Sequence, residues 1–268
     1  MDMMEKYTLG HHPSVLRTHS WRTVENSAAY LLPFLVAGCR VLDVGSGPGT
    51  ITTDIASRVF PGDVFGLDAS TEVTQQAAER AAEAGIRNVS FVAGDAYALP
   101  FPDDSFDVVH AHQVLQHLAD PVAALREMRR VTRPGGVVAA RDVVYGSASW
   151  SPLLPGLEEW MRVYQLVARA GGGEPNGGRF LKAWALEAGF ERVEAGASIW
   201  CFTEDVERQW WGGTWAERAE VSGWGARAVA SGAATAEQVA EIAAAWRSWA
   251  ADPAGWYAMP HGEIIAHA

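Results

Sequence analysis

Cysteine is nearly absent from this chain: Cys39 and Cys201 are the only two in 268 residues, and they share no motif. A disulfide framework is therefore excluded, and a reduced, cytoplasmic compartment is expected. Basic charge is also in short supply, with 21 Lys and Arg against 32 Asp and Glu, a net charge of −11, and no concentrated run of either sign. Tracking a phosphate backbone needs a basic face, so nucleic acid is not an expected partner, and an anionic membrane surface would repel the chain. No apolar run reaches membrane-spanning length, and the opening MDMMEKYTLGHH carries no apolar signal core. Internal repeats and low-complexity segments are missing as well.

What remains is the composition of an ordinary globular protein, 49% apolar and 20% charged. The length supports one large α/β domain, or a core domain with an elaborated cap. Residues 1–39 read as an N-terminal helical arm, with Val24, Ala28, Leu31, Leu32 and Leu35 at helical spacing across Ser20–Leu35. From residue 40 to 145, short apolar runs alternate with amphipathic ones. Strands are expected at Arg40–Val44, Asp63–Leu67, Val89–Ala93, Phe106–His112 and Val137–Val144, the last after a turn at Arg133–Gly136. Helices are expected at Gly49–Val59, Thr71–Ala84 and Asp120–Val131, where Asp120-Pro121 is an N-cap followed by proline at the first helical position. Such alternation requires crossover connections, hence a parallel sheet covered on both faces.

Beyond Tyr145 the texture changes, and eleven of the twelve tryptophans fall there. Residues 146–189 read as cap and connecting helices, with helices over Trp150–Ala170 and Phe180–Ala188 around the loop GGGEPNGG. Residues 190–268 supply strands at Phe190–Phe202 and Trp256–Ala266, with a helical insertion over 203–255 in which Thr235 and Gln238 form a capping box.

The stretch VLDVGSGPGT, Val41–Thr50, places bare backbone straight after a buried strand. Its spacing is Gly45-x-Gly47-x-Gly49, and Thr50 stands where a dinucleotide loop wants its third glycine. The Gly-Lys-Ser/Thr ending of an ATP loop is absent, so pyrophosphate is not the obvious guest. Next, Asp68 in Gly66-Leu67-Asp68 stands at the end of the second strand, where a carboxylate accepts from a ribose diol or caps the following helix. Asp95, in Gly94-Asp95-Ala96, ends the third strand as an adenine contact or as a turn residue. Together the three features line the carboxyl edge of a parallel sheet, where open α/β folds bind ligands.

LDVGSGPGT, GLD, GDA, FDVVHAHQVLQHL and RPGG, in this order, resemble the class I S-adenosylmethionine-dependent methyltransferases, and in particular the small-molecule branch with the ubiquinone/menaquinone methylases. The resemblance covers residues 20–145 well. It implies a Rossmann-like, seven-stranded mixed sheet with an antiparallel last strand, Trp256–Ala266, helices on both faces, and S-adenosylmethionine as cofactor. It also implies roles. Gly45, Ser46, Gly47 and Gly49 would pass under the methionine part, with Asp43 ordering the loop. Asp68 would hold the ribose hydroxyls, and Asp95 with the Ala96 N–H would read the adenine. Ala69 stands where many relatives place a larger apolar side chain against that ring. His112 and Gln113 would line the methionine side. Arg22 is the candidate cation for the methionine carboxylate, or else a solvated arginine, and Tyr7, His12 and His19 are lid candidates.

Methyl transfer asks the protein to hold an acceptor in line and, where needed, to take its proton. Candidates near the ends of strands four and five are His117 as base and Asp142 as its orienter or a second acceptor contact, set against a loop-capping His117 and an Asp142 paired with Arg141 or a lid residue. His110 and His112 alternate on one strand without a third ligand, so no metal is expected. Trp150, Leu154, Trp160, Trp200, Trp210, Trp211 and Trp215 are candidates for lining an acceptor pocket as well as for the core of a cap. An aromatic cap suggests a hydrophobic or aromatic small-molecule acceptor in specialised or quinone-type metabolism, handled by a monomer or homodimer. Two other readings keep the fold: a cyclase or pericyclase that uses the sulfonium without transferring methyl, and a non-catalytic binding protein. Amino methylation of nucleic acid is disfavoured, because the turn after strand four reads HAHQVLQHL rather than Asn/Asp-Pro-Pro-Tyr.

Overall fold

Strands with almost no charge and no preferred face can only be buried on both sides, and the computed structural model, which describes residues 21–268, places them at the centre of a sheet. β1 (Val41–Val44), β2 (Val64–Asp68), β3 (Val89–Ala93), β4 (Phe106–His112) and β5 (Thr132–Val143) run parallel in the spatial order β3-β2-β1-β4-β5. The chain steps outward from β1 to β3, then crosses back to lay β4 on the other side of β1. The gap between the tips of β1 and β4 is thus the point where winding reverses, the usual place for a ligand crevice.

Helices cover both faces. α2 (Thr50–Val59) starts at Gly49, and α3 (Thr71–Glu83) is capped by Ser70, whose Oγ accepts from the Val73 N–H. α4 (Pro121–Val131) begins as its sequence signal requires, with Asp120 accepting from the Ala123 N–H. Leu42, Val109 and Ala140 pack toward Leu125 and Met128 on one face, and Val41, Val108 and Ala139 toward Ile55 and the arm's Leu31 on the other.

The arm is not one helix. α1 is a single turn, Val24–Ser27, broken at Ala28 (φ −142°) and followed by a 3-10 segment, Ala29–Phe34, that contains Pro33. Pro33 cannot donate to a helical ladder, and its ring disfavours a continuous α conformation before it. The turn expected at Arg133–Gly136 is present as a bulge inside β5: pairing to β4 jumps from Phe106–Thr132 to Val108–Val137. Gly135 takes φ +81° there.

The second half adds α5 (Pro155–Ala170), α6 (Leu181–Glu187), β7 (Arg192–Phe202), α7 (Asp205–Val221), α8 (Gly223–Ala230), α9 (Ala236–Ala251) and β8 (Trp256–His267). The Thr235–Gln238 capping box opens α9. β8 is antiparallel to β5 and to β7, so the sheet ends with a reversed strand between them. One strand is additional to the seven expected. Ser149–Ser151 is not the start of a helix but β6, which pairs with Trp256–Ala258 on the edge of β8 that β5 also uses. The helix starts only at Pro155, where proline suits the first turn.

α5, α7, α8 and α9 pack over the far end of β8 around an aromatic core. Trp160 lies 4.7 Å from Trp215 and 4.8 Å from Trp246, edge to face, and all three are fully buried. Each such ring contributes on the order of 3 kcal/mol through burial, and each edge contact about 1 kcal/mol more. Among the described residues, no helix is long and apolar enough to cross a membrane.

Candidate active site

The loop after β1 is shaped by backbone conformations that few side chains tolerate. Gly45, Gly47 and Gly49 have φ of +70°, +53° and +81°. A Cβ on Gly45 would fall 2.3 Å from Val114 Cγ2, so this position is closed to other residues twice over. The Gly45 and Ser46 N–H groups both donate to the Leu67 carbonyl, at 2.6 and 2.9 Å, which pins the loop to the end of β2. Asp68 completes the clasp: Oδ2 accepts from the Gly47 N–H and Oδ1 from the Ser70 N–H, each at 3.0 Å. Ser70 rather than Asp68 caps α3, so the half-buried Asp68 carboxylate keeps lone pairs for a diol. The Ser46 hydroxyl is buried without a hydrogen-bond partner, an orphaned polar atom inside the same loop.

Asp43 stands one step away from the assigned role. Its Oδ2 accepts from Thr52 Oγ1 at 2.6 Å and its Oδ1 meets His110 Nδ1 at 2.8 Å. It ties the first turns of α2 to β4 and touches the loop through neither oxygen. Asp95 is exposed at the tip of β3 and accepts from the Tyr97 N–H at 2.9 Å; Ala96 is half-buried and Ala69 exposed beside them.

At the tip of β4, Arg22 Nη2 donates to Gln113 Oε1 at 2.9 Å. Gln113 takes φ +55°, and its N–H bonds the Arg141 carbonyl at 2.7 Å. With Oε1 occupied as acceptor, Gln113 Nε2 donates to His261 Nε2, 3.0 Å away. His112 is buried among these groups; burial first, then the charges of Arg22 and Arg141, hold its imidazole neutral. Tyr7, His12 and His19 lie outside the described residues.

His117 and Asp142 do not touch as an acid–base pair, because Gln116 stands between them. Its N–H donates to Asp142 Oδ2 at 3.1 Å, and its side-chain Nε2 faces His117 Nε2 at 3.1 Å. Gln116 Oε1 accepts from the Val143 N–H, so Nε2 is the donor and His117 Nε2 the acceptor. In this tautomer the His117 Nε2 lone pair faces the Gln116 amide. Burial, then the charge of Arg22, lowers this imidazole to about 3. Burial also raises Asp142 to about 7, against the Gln116 and Val114 N–H groups and the Arg141 charge. Nor does Asp142 pair with Arg141: their side chains leave β5 on opposite faces.

The tryptophans separate into two sets. Trp160, Trp211 and Trp215 are enclosed in the cap core, which corrects their assignment as lining. Trp150 stacks parallel to Tyr257 and, with Leu154, packs against the same core. Trp200, also buried and part of that same core, reaches in addition toward the strand tips, 5.8 Å from His112. It comes from β7 onto the sheet beside the β4 tip, with Trp21 5.3 Å away edge-on and Trp210 behind Trp21 at 5.4 Å. Among the described residues no cluster of three or more His, Cys, Asp or Glu could hold a metal ion. A surface groove of about 470 Å³ between α5 and α9, lined by Glu159, Glu241 and Ser248, lies in the cap away from the strand tips.

Sequence reasoning gave no site role to the group beside Trp200: Arg141 on β5, and His261 and Glu263 on β8, with Tyr30 of the arm close enough to feel the Arg141 charge. A signal was available, since VVAARDVV sets charge in the middle of an apolar central strand.

Comparison with known proteins agrees with this layout. Residues 35–196 match the family described as methyltransferase domain. An uncharacterized methyltransferase of Schizosaccharomyces pombe is 37% identical over 97% of this chain and 95% of its own length. A demethylmenaquinone methyltransferase of Roseiflexus castenholzii is 38% identical over 53% of this chain and 58% of its own. Among solved structures, the YcgJ protein of Bacillus subtilis shares the fold with a TM-score of 0.58 and 22% identity, over 94% of this chain and 99% of that one. The pinned glycine loop at the switch point and a family match that spans the whole parallel sheet lead to one conclusion: the chain belongs to the methyltransferase domain family and is a class I S-adenosylmethionine-dependent methyltransferase.

Proposed function

We propose that this enzyme methylates a hydrophobic or aromatic small molecule, with the cofactor laid along the tips of β3, β2, β1 and β4. The observation that carries the reading is the clasp between Asp68 and Gly47, which sets a carboxylate and a bare loop side by side at the winding reversal. In this reading Asp68 accepts from the ribose, Asp95 and Ala96 face the adenine, and the glycine loop with Ser46 runs beneath the methionine. Ser46 Oγ, buried and unpartnered, is a group that a polar ligand would satisfy. Arg22 and Gln113 close the methionine end. Asp43 acts at one remove, by fixing α2 against β4.

S-adenosylmethionine supplies a methyl carbon already activated by its sulfonium, so the protein's task is placement and exclusion of water. His117, held neutral by burial and the Arg22 charge, sits against the Gln116 amide and in this reading positions the turn after β4. Asp142 holds the turn after β4 through the Gln116 N–H, and its raised ionisation makes it the group best suited to exchange a proton near neutrality. The aromatic cluster of Trp200, Trp21 and the half-buried Trp210 lies next to the β4 tip, which supports a planar acceptor. The likeness to a demethylmenaquinone methyltransferase supports the quinol class within that range.

Calorimetric titration of S-adenosylmethionine into the wild-type chain tests the cofactor site, and release of S-adenosylhomocysteine with a panel of phenols, quinols and indoles tests the acceptor class. Absence of binding heat removes the proposal. Consumption of a substrate without S-adenosylhomocysteine would instead indicate a cyclase.

A further inference from the structure

The face of the sheet under Trp200 carries polar side chains in register. His112 on β4 stands opposite Arg141 on β5, and Arg141 opposite Glu263 on β8. One pair further along, His261 stands opposite Ser198 on β7. Arg141 is buried to 1% exposure, and only its Nε is engaged, with Ser198 Oγ and Glu263 Oε1 at 3.0 Å each. Its Nη1 and Nη2 are buried without a hydrogen-bond partner among the described residues, and so are both ring nitrogens of His112. Trp200 roofs the group, with its ring centre 4.8 Å from the Arg141 guanidinium carbon and 4.4 Å from the His261 ring.

A guanidinium has donors only, so its unused nitrogens require oxygen lone pairs. Leaving charged donors buried and unmade is among the more costly arrangements in a folded chain, and unpaired buried groups in native proteins call for a ligand or a role. Glu263 has already set the fork's orientation through Nε, leaving the two Nη groups in the planar geometry that grips a carboxylate or phenolate from two sides. The other titratable groups on this face do not compete for them. Tyr30, kept neutral chiefly by burial, leaves its hydroxyl without a hydrogen-bond partner among the described residues and so does not hold the fork, and the Asp43 carboxylate is taken up by Thr52 and His110. Asp142 leaves β5 on the opposite face. His261, neutral through burial and the nearby Arg141 and Arg22 charges against a pull from the Met259 carbonyl, is held by Gln113 at its Nε2. Gln113 is also the contact of Arg22, so this buried group begins one hydrogen bond beyond Arg22 at the β4 tip.

We propose that Arg141 and His112, beneath Trp200, form a subsite for an anionic oxygen of the acceptor, so that the substrate is a planar acid: an aromatic or conjugated carboxylate, or a phenolate. This inference rests on the reading of the strand tips as the cofactor crevice, and its test keeps the two apart. Benzoate, 4-nitrophenol and the neutral isostere benzamide are titrated into the full chain saturated with S-adenosylhomocysteine, by calorimetry and by quenching of tryptophan emission. Benzoate or 4-nitrophenolate should bind at least roughly tenfold more tightly than benzamide, the difference expected when charge-assisted hydrogen bonds are gained. Preference for benzoate identifies a carboxylate site, and a yellow shift of bound 4-nitrophenol a phenolate site. The pair Arg141→Met with Glu263→Gln, which removes the fork without stranding the carboxylate, should abolish that preference while S-adenosylhomocysteine binding is kept; Arg141→Lys should retain part of it. Equal binding of benzoate and benzamide by the wild-type chain, no binding of any probe, or an unchanged preference in the double variant overturns the proposal. The wild-type comparison decides even where a variant does not fold. Failure of S-adenosylhomocysteine to bind would strike the crevice reading instead.

Discussion

The two halves of this molecule achieve definition by opposite means. At the strand tips of the first half, shape comes from backbone: three left-handed glycines, two N–H groups on one carbonyl, and a carboxylate clasp. In the cap, shape comes from bulk, with Trp160, Trp215, Trp224, Trp246 and Trp249 fully buried around Tyr257. The first arrangement depends on a few residues that admit no substitute. The second depends on total volume, which many sequences can supply. Function and stability should therefore come apart under mutation, each half failing in its own way.

The largest effect is expected in the cap. Trp160→Ala removes a ring that contacts Trp215 and Trp246 and should cost about 3–5 kcal/mol of stability, read from urea unfolding, with S-adenosylmethionine affinity little changed in the folded fraction. A loss of affinity larger than the loss of stability would break the separation. Asp68→Ala is the converse. It removes the clasp on Gly47 and, with it, the proposed ribose acceptor, and should weaken cofactor binding by about 2–3 kcal/mol, roughly a hundredfold by calorimetry, with a smaller change in melting temperature.

Asp142 sharpens the contrast through pH. Its folded-state value of about 7 lies above the free value of 3.8, so the folded chain keeps a proton that the unfolded chain releases. Stability from this group is fully present below about pH 4 and is lost as pH rises toward 7. Asp142→Asn should flatten that slope, gaining on the order of 2 kcal/mol over wild type at pH 8 and nothing at pH 4 in denaturant titrations. The smallest effect is expected at His117, whose shift runs the other way. Its neutral ring contributes stability above pH 6.5 that is lost as pH falls toward 3, and His117→Gln should make this acid-side loss shallower. An unchanged acid limb would show that the imidazole is not held neutral.

How far each half could be read from the sequence follows from the same contrast. β3 and β4 fall on the residues expected, and the Asp120 cap and the Thr235–Gln238 box are where their signals lie, because each is set by local chemistry. β6 was hidden because a three-residue strand has no periodicity; only its partner Trp256–Ala258 makes it one. The clasp residues were legible as a motif, whereas the Gln116 wedge between His117 and Asp142 depends on side-chain geometry that spacing does not encode. The tryptophans told of an aromatic cap but not which rings face inward. Arg141 and its neighbour Asp142, two charges after the apolar run of β5, were informative by their setting alone.

β8 has a consequence for how the halves communicate. Tyr257 sits among the cap's rings, while His261 and Glu263, a few residues along the same strand, stand beside Arg141. A single stiff ribbon thus runs from the packed dome to the floor beneath Trp200. Refilling the dome with rings of another size is expected to shift that ribbon and re-aim the two side chains at its far end, so that, with the acceptor held as proposed, its selection would respond to exchanges at residues that never touch it.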